Sequence, residues 1–596
     1  MRNRLRIAKR ILGPELIARA GARRVRVGRR RLFSFIGVAV LAGNAGAAVN
    51  VEGLSDAQRD NVLAHLGLNE LACDTPQWQV RRRFRRIEAP VRRALEALGY
   101  YRPDIQSSLA FDDTCWQIAI VVDSGEPARY DSVRVRVAGD GAQDAQIQSV
   151  FQAQPRSGDV VHHGRYTAYK NKLLQALAAR GFLDYDVKTS QVIVDEAGER
   201  AALSLVVDSG ERYRIGAITL NSNAYDDSLL QRFVTLKPGD FYDSERLLAQ
   251  QRRIAGSELF ANASVNGDFD NARDGVINVD ITLDAVTRLG YFAGVGVTSD
   301  RGPRVSAGYR NRRVNGRGHQ FQADGQHSQV LSRLSTRYRM PLADPLLEWQ
   351  TLEALVERED TDTSESDSAR IGIERTRALD RNWLLSYGLR LGRTRFTVSS
   401  VEDSATLFMP VVSANRRVAD NDTFPRRGHA TDIRLRAASD SVLSTTSFVQ
   451  AYARHKRVWP VGERSRFSLR GEFGITWRDE LDELPPDIRF FAGGDDSVRG
   501  YGFESLGPSD EDGEVIGGSR LVTISAEYEH AIAARFSLAA FVDAGNAFNS
   551  TTVRLKQGAG VGLVWRSPVG PLRVYVGKPI GESGSPRLHV RFGADL

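Results

Sequence analysis

From about residue 289 to residue 596, the chain abandons helical periodicity and alternates apolar with polar side chains. Phe467, Leu469, Phe473, Ile475 and Trp477 share one face of an extended chain with Gly471, while Ser468, Arg470, Glu472 and Thr476 share the other with Gly474. Leu588, Val590, Phe592, Ala594 and Leu596 alternate in the same way with Arg587, His589, Arg591 and Asp595, and further examples run from Leu572 to Gly577 and from Val522 to Glu529. A period of two marks strands. A soluble β-sandwich also alternates, but here the pattern persists across half the chain. An exported chain without an apolar helix of roughly 20 residues crosses a membrane only as a closed barrel, because lipid offers backbone groups no partners. Polar inner faces also explain why a mean hydropathy of −0.32 looks like that of a soluble protein. At about 19 residues per strand and loop, the region fits about 16 strands.

The N-terminus supplies the export. Residues 1–31 are strongly basic and end in Arg29-Arg30-Arg31; the apolar run Leu32 to Leu41 and the small residues Ala45-Gly46-Ala47 follow. A basic segment, a short apolar segment and a small-residue cleavage site predict a signal peptide over residues 1–47. The alternative is a short buried helix or an uncleaved anchor. The long basic stretch suggests a translation start downstream of Met1. Losing twelve Lys/Arg and one Glu with this leader takes the formal charge from +8 to −3. The pI near 9.4 is then a property of the leader, and the mature chain lacks the basic surface that nucleic-acid binding needs. The two cysteines, Cys73 and Cys115, are free to pair in an exported chain. The alternative is two buried thiols; no CxxC or nearby His pair completes a zinc set.

Between leader and barrel lie internal repeats. Val121-Val122-Asp123-Ser124-Gly125-Glu126 recurs as Val206-Val207-Asp208-Ser209-Gly210-Glu211. Leu95-Glu96-Ala97-Leu98-Gly99-Tyr100-Tyr101 is echoed by Leu177 to Leu183 and, more weakly, by Ile254 to Phe260, where Glu258 replaces the glycine. Repetition at this length predicts three small tandem domains, over residues 48–127, 128–212 and 213–288, ahead of a barrel over 289–596. Each reads as β-α-α-β-β, with the second helix stopped by a glycine before an aromatic. Such a unit leaves strand edges open to an incoming strand; the alternative role is a spacer.

Late in the chain the motifs become specific. Arg489-Phe490-Phe491-Ala492-Gly493-Gly494-Asp495-Asp496-Ser497-Val498-Arg499-Gly500-Tyr501 carries a VRGY element, Phe541-Val542-Asp543-Ala544-Gly545 an FxDxG strand, and Gly560 to Trp565 with Ser567 to Leu572 a penultimate region. Their order, on a barrel behind such repeats, resembles the BamA/TamA outer-membrane insertase superfamily, and the repeats resemble its POTRA domains. The resemblance implies that the loop bearing Val498, Arg499, Gly500 and Tyr501 folds into the lumen. It also implies that the first and last strands meet at a weak seam. Strand parity independently puts Phe541, Asp543 and Glu527 inside, and two carboxylates in a lumen need a cation, which Arg499 supplies. A hairpin turn placed near Ile532 offsets Glu527 from Asp543 by about six residues, which makes Asp543 the main partner. Gly294 and Gly296 on the first strand and Gly593 on the last leave little side chain at the seam. Phe592 and Leu596 resemble the C-terminal signal of outer-membrane barrels.

No Walker loop or GxSxG elbow is present, and His162-His163 falls on an expected loop, so neither an enzyme nor a cofactor is expected. The leading reading is an outer-membrane assembly factor that inserts or translocates autotransporter-like or other outer-membrane proteins. Three repeats resemble the TamA branch, which implies a TamB-like, inner-membrane-anchored partner alongside unfolded clients and outer-membrane lipid. The alternatives are a two-partner-type secretion pore or a passive porin.

Overall fold

The computed structural model describes residues 48–68, 71–112, 115–478, 480–567 and 570–593. The expected leader, residues 1–47, lies outside them, as does Leu596.

Three small α+β modules precede a barrel. In the first, the strands Ala48–Glu52, Asp104–Phe111 and Trp116–Asp123 form a sheet whose last strand is central, parallel to the first and antiparallel to the second. On that central strand Trp116, Ile118, Ile120 and Val122 are buried and the residues between them exposed. The apolar face packs on helices Asp56–Leu66, Gln77–Phe84 and Glu88–Glu96 through Val62, Val80, Val91 and Leu95. That is one helix more than the repeat pattern predicts. Pro76 starts the extra one, since an N-terminal proline forfeits no helical hydrogen bond, and its Val80 joins the core. A disulfide joins Cys73 to Cys115.

The strands Arg129–Ala138, Asp186–Val194 and Arg200–Asp208 repeat this strand order, as do Arg214–Asn221, Phe260–Gly267 and Val276–Ala285. Gly99 and Gly181, which stop the helices of the first two copies, have φ of +100° and +89°, a region costly for any residue with a Cβ. The third copy ends differently. Its helix Ser244–Ala255 runs into Gly256 at φ −73°, consistent with Glu258 at the glycine position. His163 opens a helix, His163–Ala179, instead of lying on the expected loop, and its Nε2 bonds to the Tyr101 hydroxyl at 2.6 Å.

In the second and third copies, Asp144 and Asp243 cap helices Ala145–Phe151 and Ser244–Ala255 by accepting backbone N–H bonds. Arg180 pairs with both carboxylates. The third module holds two turns at one end of the barrel: the Asp226 N–H donates to Gly316 O at 2.9 Å, and Arg253 pairs with Asp344 at 2.6 Å.

The barrel is closed by sixteen antiparallel strands, from Leu289–Thr298 to Arg587–Phe592. Parity sets its faces. On Phe536–Phe548, Phe536, Leu538, Ala540 and Val542 point outward, while Ser537, Ala539, Phe541 and Asp543 are buried on the lumenal side.

Candidate functional site

Residues 480–519, between the strands Ser465–Arg478 and Arg520–Ala531, fold back into the lumen. Phe490, Ala492, Val498 and Leu506 of this segment form an apolar cluster with Leu521 and Ala547 of the wall, and Phe490 stacks on Tyr452. With those side chains fixed, the VRGY element lies against the last strands.

Arg499 is 5% exposed. Its Nε donates to Asp543 Oδ2 at 2.8 Å and its Nη2 to Asp543 Oδ1 at 2.9 Å, a bidentate fork. Nη1 donates to Glu527 Oε2 at 2.5 Å, and Nη2 also reaches Ser525 Oγ at 3.2 Å. The Arg499 N–H gives Asp543 Oδ2 another bond at 3.0 Å. The guanidinium carbon lies 3.6 Å from the Phe541 ring centroid and 4.8 Å from that of Tyr575, whose hydroxyl donates to Glu527 Oε1 at 3.0 Å. Two buried carboxylates and one cation are thereby almost fully hydrogen-bonded, as low-dielectric surroundings require.

The expected six-residue offset between Glu527 and Asp543 is corrected. Ala531 pairs with Ser537, so the hairpin centres two residues beyond Ile532; Glu527 faces Phe541 and Asp543 faces Ser525. Moving the turn centre by two residues moves the register by four. The two carboxylates are therefore two positions apart on neighbouring strands, and one guanidinium spans them.

The wall beneath the loop is shaved to backbone. A Cβ on Gly558, in strand Lys556–Ser567, would sit 1.9 Å from the Arg499 carbonyl oxygen. Gly500 itself has φ +100°. Val498 is fully buried, and the Tyr501 hydroxyl reaches Glu582 Oε2 at 3.3 Å.

The seam is the barrel's weakest joint. The first strand pairs with its neighbour Gly302–Asn311 along its whole length, but with the last strand, among the described residues, only through Thr298 and Arg591. Gly294 and Gly296 face Ser306 and Arg304 on the neighbour, and their other edge has no ladder partner among the described residues. Phe592 ends the last strand, and Gly593 follows at φ +148°.

Close by, Asp495 accepts from Ser299 Oγ at 2.7 Å and engages His589 Nδ1 at 2.6 Å, while the Gly500 N–H donates to His589 Nε2 at 2.9 Å. Asp300, Asp495 and His589 bring ligand-type atoms within 4.8 Å of one another. Because these groups already engage each other and Ser299, they read as a hydrogen-bond network. Sequence reasoning missed Ser299, Asp495 and His589 as a group, and Ser525 and Tyr575 around Arg499. Only inward parity marked His589, Ser525 and Tyr575, and nothing in the sequence shows which inward residues meet.

Residues 313–594 match the Omp85 superfamily domain. Residues 48–124 match the first POTRA domain of TamA, and 213–286 a POTRA family described as a surface antigen variable number repeat. Among curated relatives, the outer membrane protein assembly factor BamA of Nitratidesulfovibrio vulgaris is 33% identical over 124 residues, covering 20% of this chain and 16% of that protein. The Neisseria meningitidis serogroup B protein of the same name is 22% identical over 552 residues, covering 80% of this chain and 67% of that one. The crystal structure of BamA from Haemophilus ducreyi lacking POTRA domains 1–3 superposes with a TM-score of 0.66 at 17% identity, covering 78% of this chain and 99% of that one, a likeness of fold. The closed sixteen-strand barrel and these matches make the protein an outer-membrane barrel with an Omp85 superfamily domain over residues 313–594 and with POTRA domains in the periplasm.

Proposed function

We propose that this protein is an outer-membrane assembly factor that inserts or translocates autotransporter-like or other outer-membrane proteins through the seam between its first and last strands. The observation that carries this reading is the seam: among the described residues it has one register pair, Thr298 with Arg591, in a barrel whose other strands are continuously laddered. Opening it costs few backbone bonds and exposes an edge on which a client strand can pair. The Arg499 clasp serves to keep the lumenal loop and the wall around Glu527 and Asp543 rigid while the seam moves.

Within the superfamily we favour the TamA type, with a TamB-like periplasmic partner at the POTRA domains. The match of residues 48–124 to the first POTRA domain of TamA and the count of three modules support this. The two relatives described above are named BamA, so the partner is the point to test.

The experiment is reconstitution of the full chain in proteoliposomes with an unfolded autotransporter-type client. Faster appearance of folded, protease-protected client than in empty liposomes is expected. Ion conduction without any effect on client folding would instead favour a pore. Photo-crosslinkers on the first module should capture a large periplasmic TamB-like protein in cells; capture only at the third module, or of other proteins alone, would argue against the TamA type.

A further inference from the structure

We propose that Asp495, gripping Ser299 and His589 together, is the pin that holds the seam shut, so that the lumenal loop and not the strand ladder governs sideways opening. The functional meaning rests on the insertase reading above; the structural claim stands without it.

The ladder is too short to close the barrel alone. Beyond the Thr298–Arg591 pair, the first and last strand ends share, among the described residues, one backbone bond, from the Ser299 N–H to Val590 O at 3.1 Å. The remaining bonds are supplied from inside. The Asp495 carboxylate accepts from Ser299 Oγ, on the turn after the first strand, at 2.7 and 2.9 Å to its two oxygens. Ser299 Oγ in turn accepts the Val590 N–H at 2.9 Å. On the last strand, His589 Nε2 accepts the Gly500 N–H at 2.9 Å, so the imidazole proton sits on Nδ1 and is donated to Asp495 Oδ1 at 2.6 Å. The Asp495 N–H returns a bond to Asp300 Oδ2 at 2.8 Å. One loop residue therefore ties the first strand's turn to the last strand.

The loop is built to reach this place. Asp496, the next residue, pairs with Arg591. Consecutive loop carboxylates thus hold His589 and Arg591, which are two apart and share the lumenal face of the strand. Gly494 has φ +99°, and a Cβ there would lie 2.7 Å from the Asp300 carboxylate, so only glycine lets the loop backbone come this close. The base of the pin is separate from the pin. Arg499 anchors the loop to Glu527 and Asp543, away from the seam, so the Asp495 bonds can break while the anchor holds. Bonds to an ionised carboxylate are about twice as strong as neutral ones, which makes this network the main barrier at the seam.

The test measures seam geometry in the full chain, reconstituted in lipid nanodiscs with spin labels at Val295→Cys and Leu588→Cys, both outward and exposed. Asp495→Asn keeps the shape and removes the charge; the fraction of widely separated labels should rise roughly tenfold, the factor expected from one lost hydrogen bond to a charged group. Ser299→Ala should do the same, and the double variant should add little, because both act through one network. Amide protection on Phe536–Phe548 should not change, which separates a lost pin from general loosening. If folded Asp495→Asn barrels keep the wild-type label distances, the pin is overturned. Should that variant fail to fold, Ser299→Ala decides by the same distances. Client insertion measured in parallel keeps the two claims apart: a wider seam with unchanged insertion supports the pin and defeats the insertase reading, whereas an unmoved seam overturns the pin at any level of insertion.

Discussion

Replacing Arg499 with alanine should damage this barrel more than any other single change at the loop. The side chain is buried, and so are both partners: Asp543 is 0% and Glu527 9% exposed. Alanine removes the Nε, Nη1 and Nη2 bonds and leaves two carboxylates without their cation. Removing one partner of a buried pair costs about 3–5 kcal/mol, because the remaining charge is stranded. Arg499→Lys keeps a positive charge but cannot fork across two acceptors, so a smaller loss, about 1–2 kcal/mol, is expected. The assay is urea unfolding of the folded barrel in detergent, followed by heat-modifiable gel mobility. The midpoint should fall most for Arg499→Ala and less for Arg499→Lys. It should recover in part for Arg499→Met combined with Asp543→Asn, which removes one of the two stranded charges and leaves Glu527. An unchanged midpoint for Arg499→Ala, or no recovery in the double variant, would refute the electrostatic reasoning.

Other outcomes follow from local geometry. Gly558→Ala sets a Cβ against the Arg499 carbonyl; it should cost about 1–3 kcal/mol and make residues 480–519 more sensitive to trypsin while the barrel stays folded. Reducing Cys73–Cys115, a crosslink across 42 residues, should destabilise the first module by about 3–4 kcal/mol and leave the barrel's unfolding unchanged, which domain-specific proteolysis can follow. For Asp144, burial opposes the charge, but bonds from Arg180 and the Ile147 and Gln146 amides outweigh it and hold the carboxyl below its usual value of 3.8. Its contribution is therefore complete above about pH 4 and fades as the pH drops through the lowered value. Asp144→Asn should flatten the acid limb of the second module's stability curve; an identical limb in the variant would contradict this.

Much of the architecture was legible because it rests on periodicity. Alternation marked the barrel and told which residues of Phe536–Phe548 face inward, and the glycine stops at Gly99 and Gly181 marked the ends of two repeat helices. The inward parity of Glu527, Phe541 and Asp543 with the VRGY element was enough to bring Arg499 to them. What failed was register. A turn misplaced by two residues gave the wrong offset between the two carboxylates, and alternation cannot correct it because a shift of two conserves every face. The Asp495 network was not legible at all. It joins residues 196 and 94 positions apart, and its members are ordinary polar residues until the closed barrel brings the chain's two strand ends side by side. The additional helix Gln77–Phe84 was hidden in an arginine-rich stretch whose one buried residue, Val80, gives no periodic signal.

Under the proposed function, the seam between Leu289–Thr298 and Arg587–Phe592 must open for the protein to work. A disulfide between Val297→Cys and Phe592→Cys, next to the Thr298–Arg591 pair, closes that route without touching the lumen. Client insertion into proteoliposomes should fall to the level of empty liposomes when this pair is oxidised and return when it is reduced. Insertion at the unlocked rate through an oxidised, folded barrel would contradict a route through the seam.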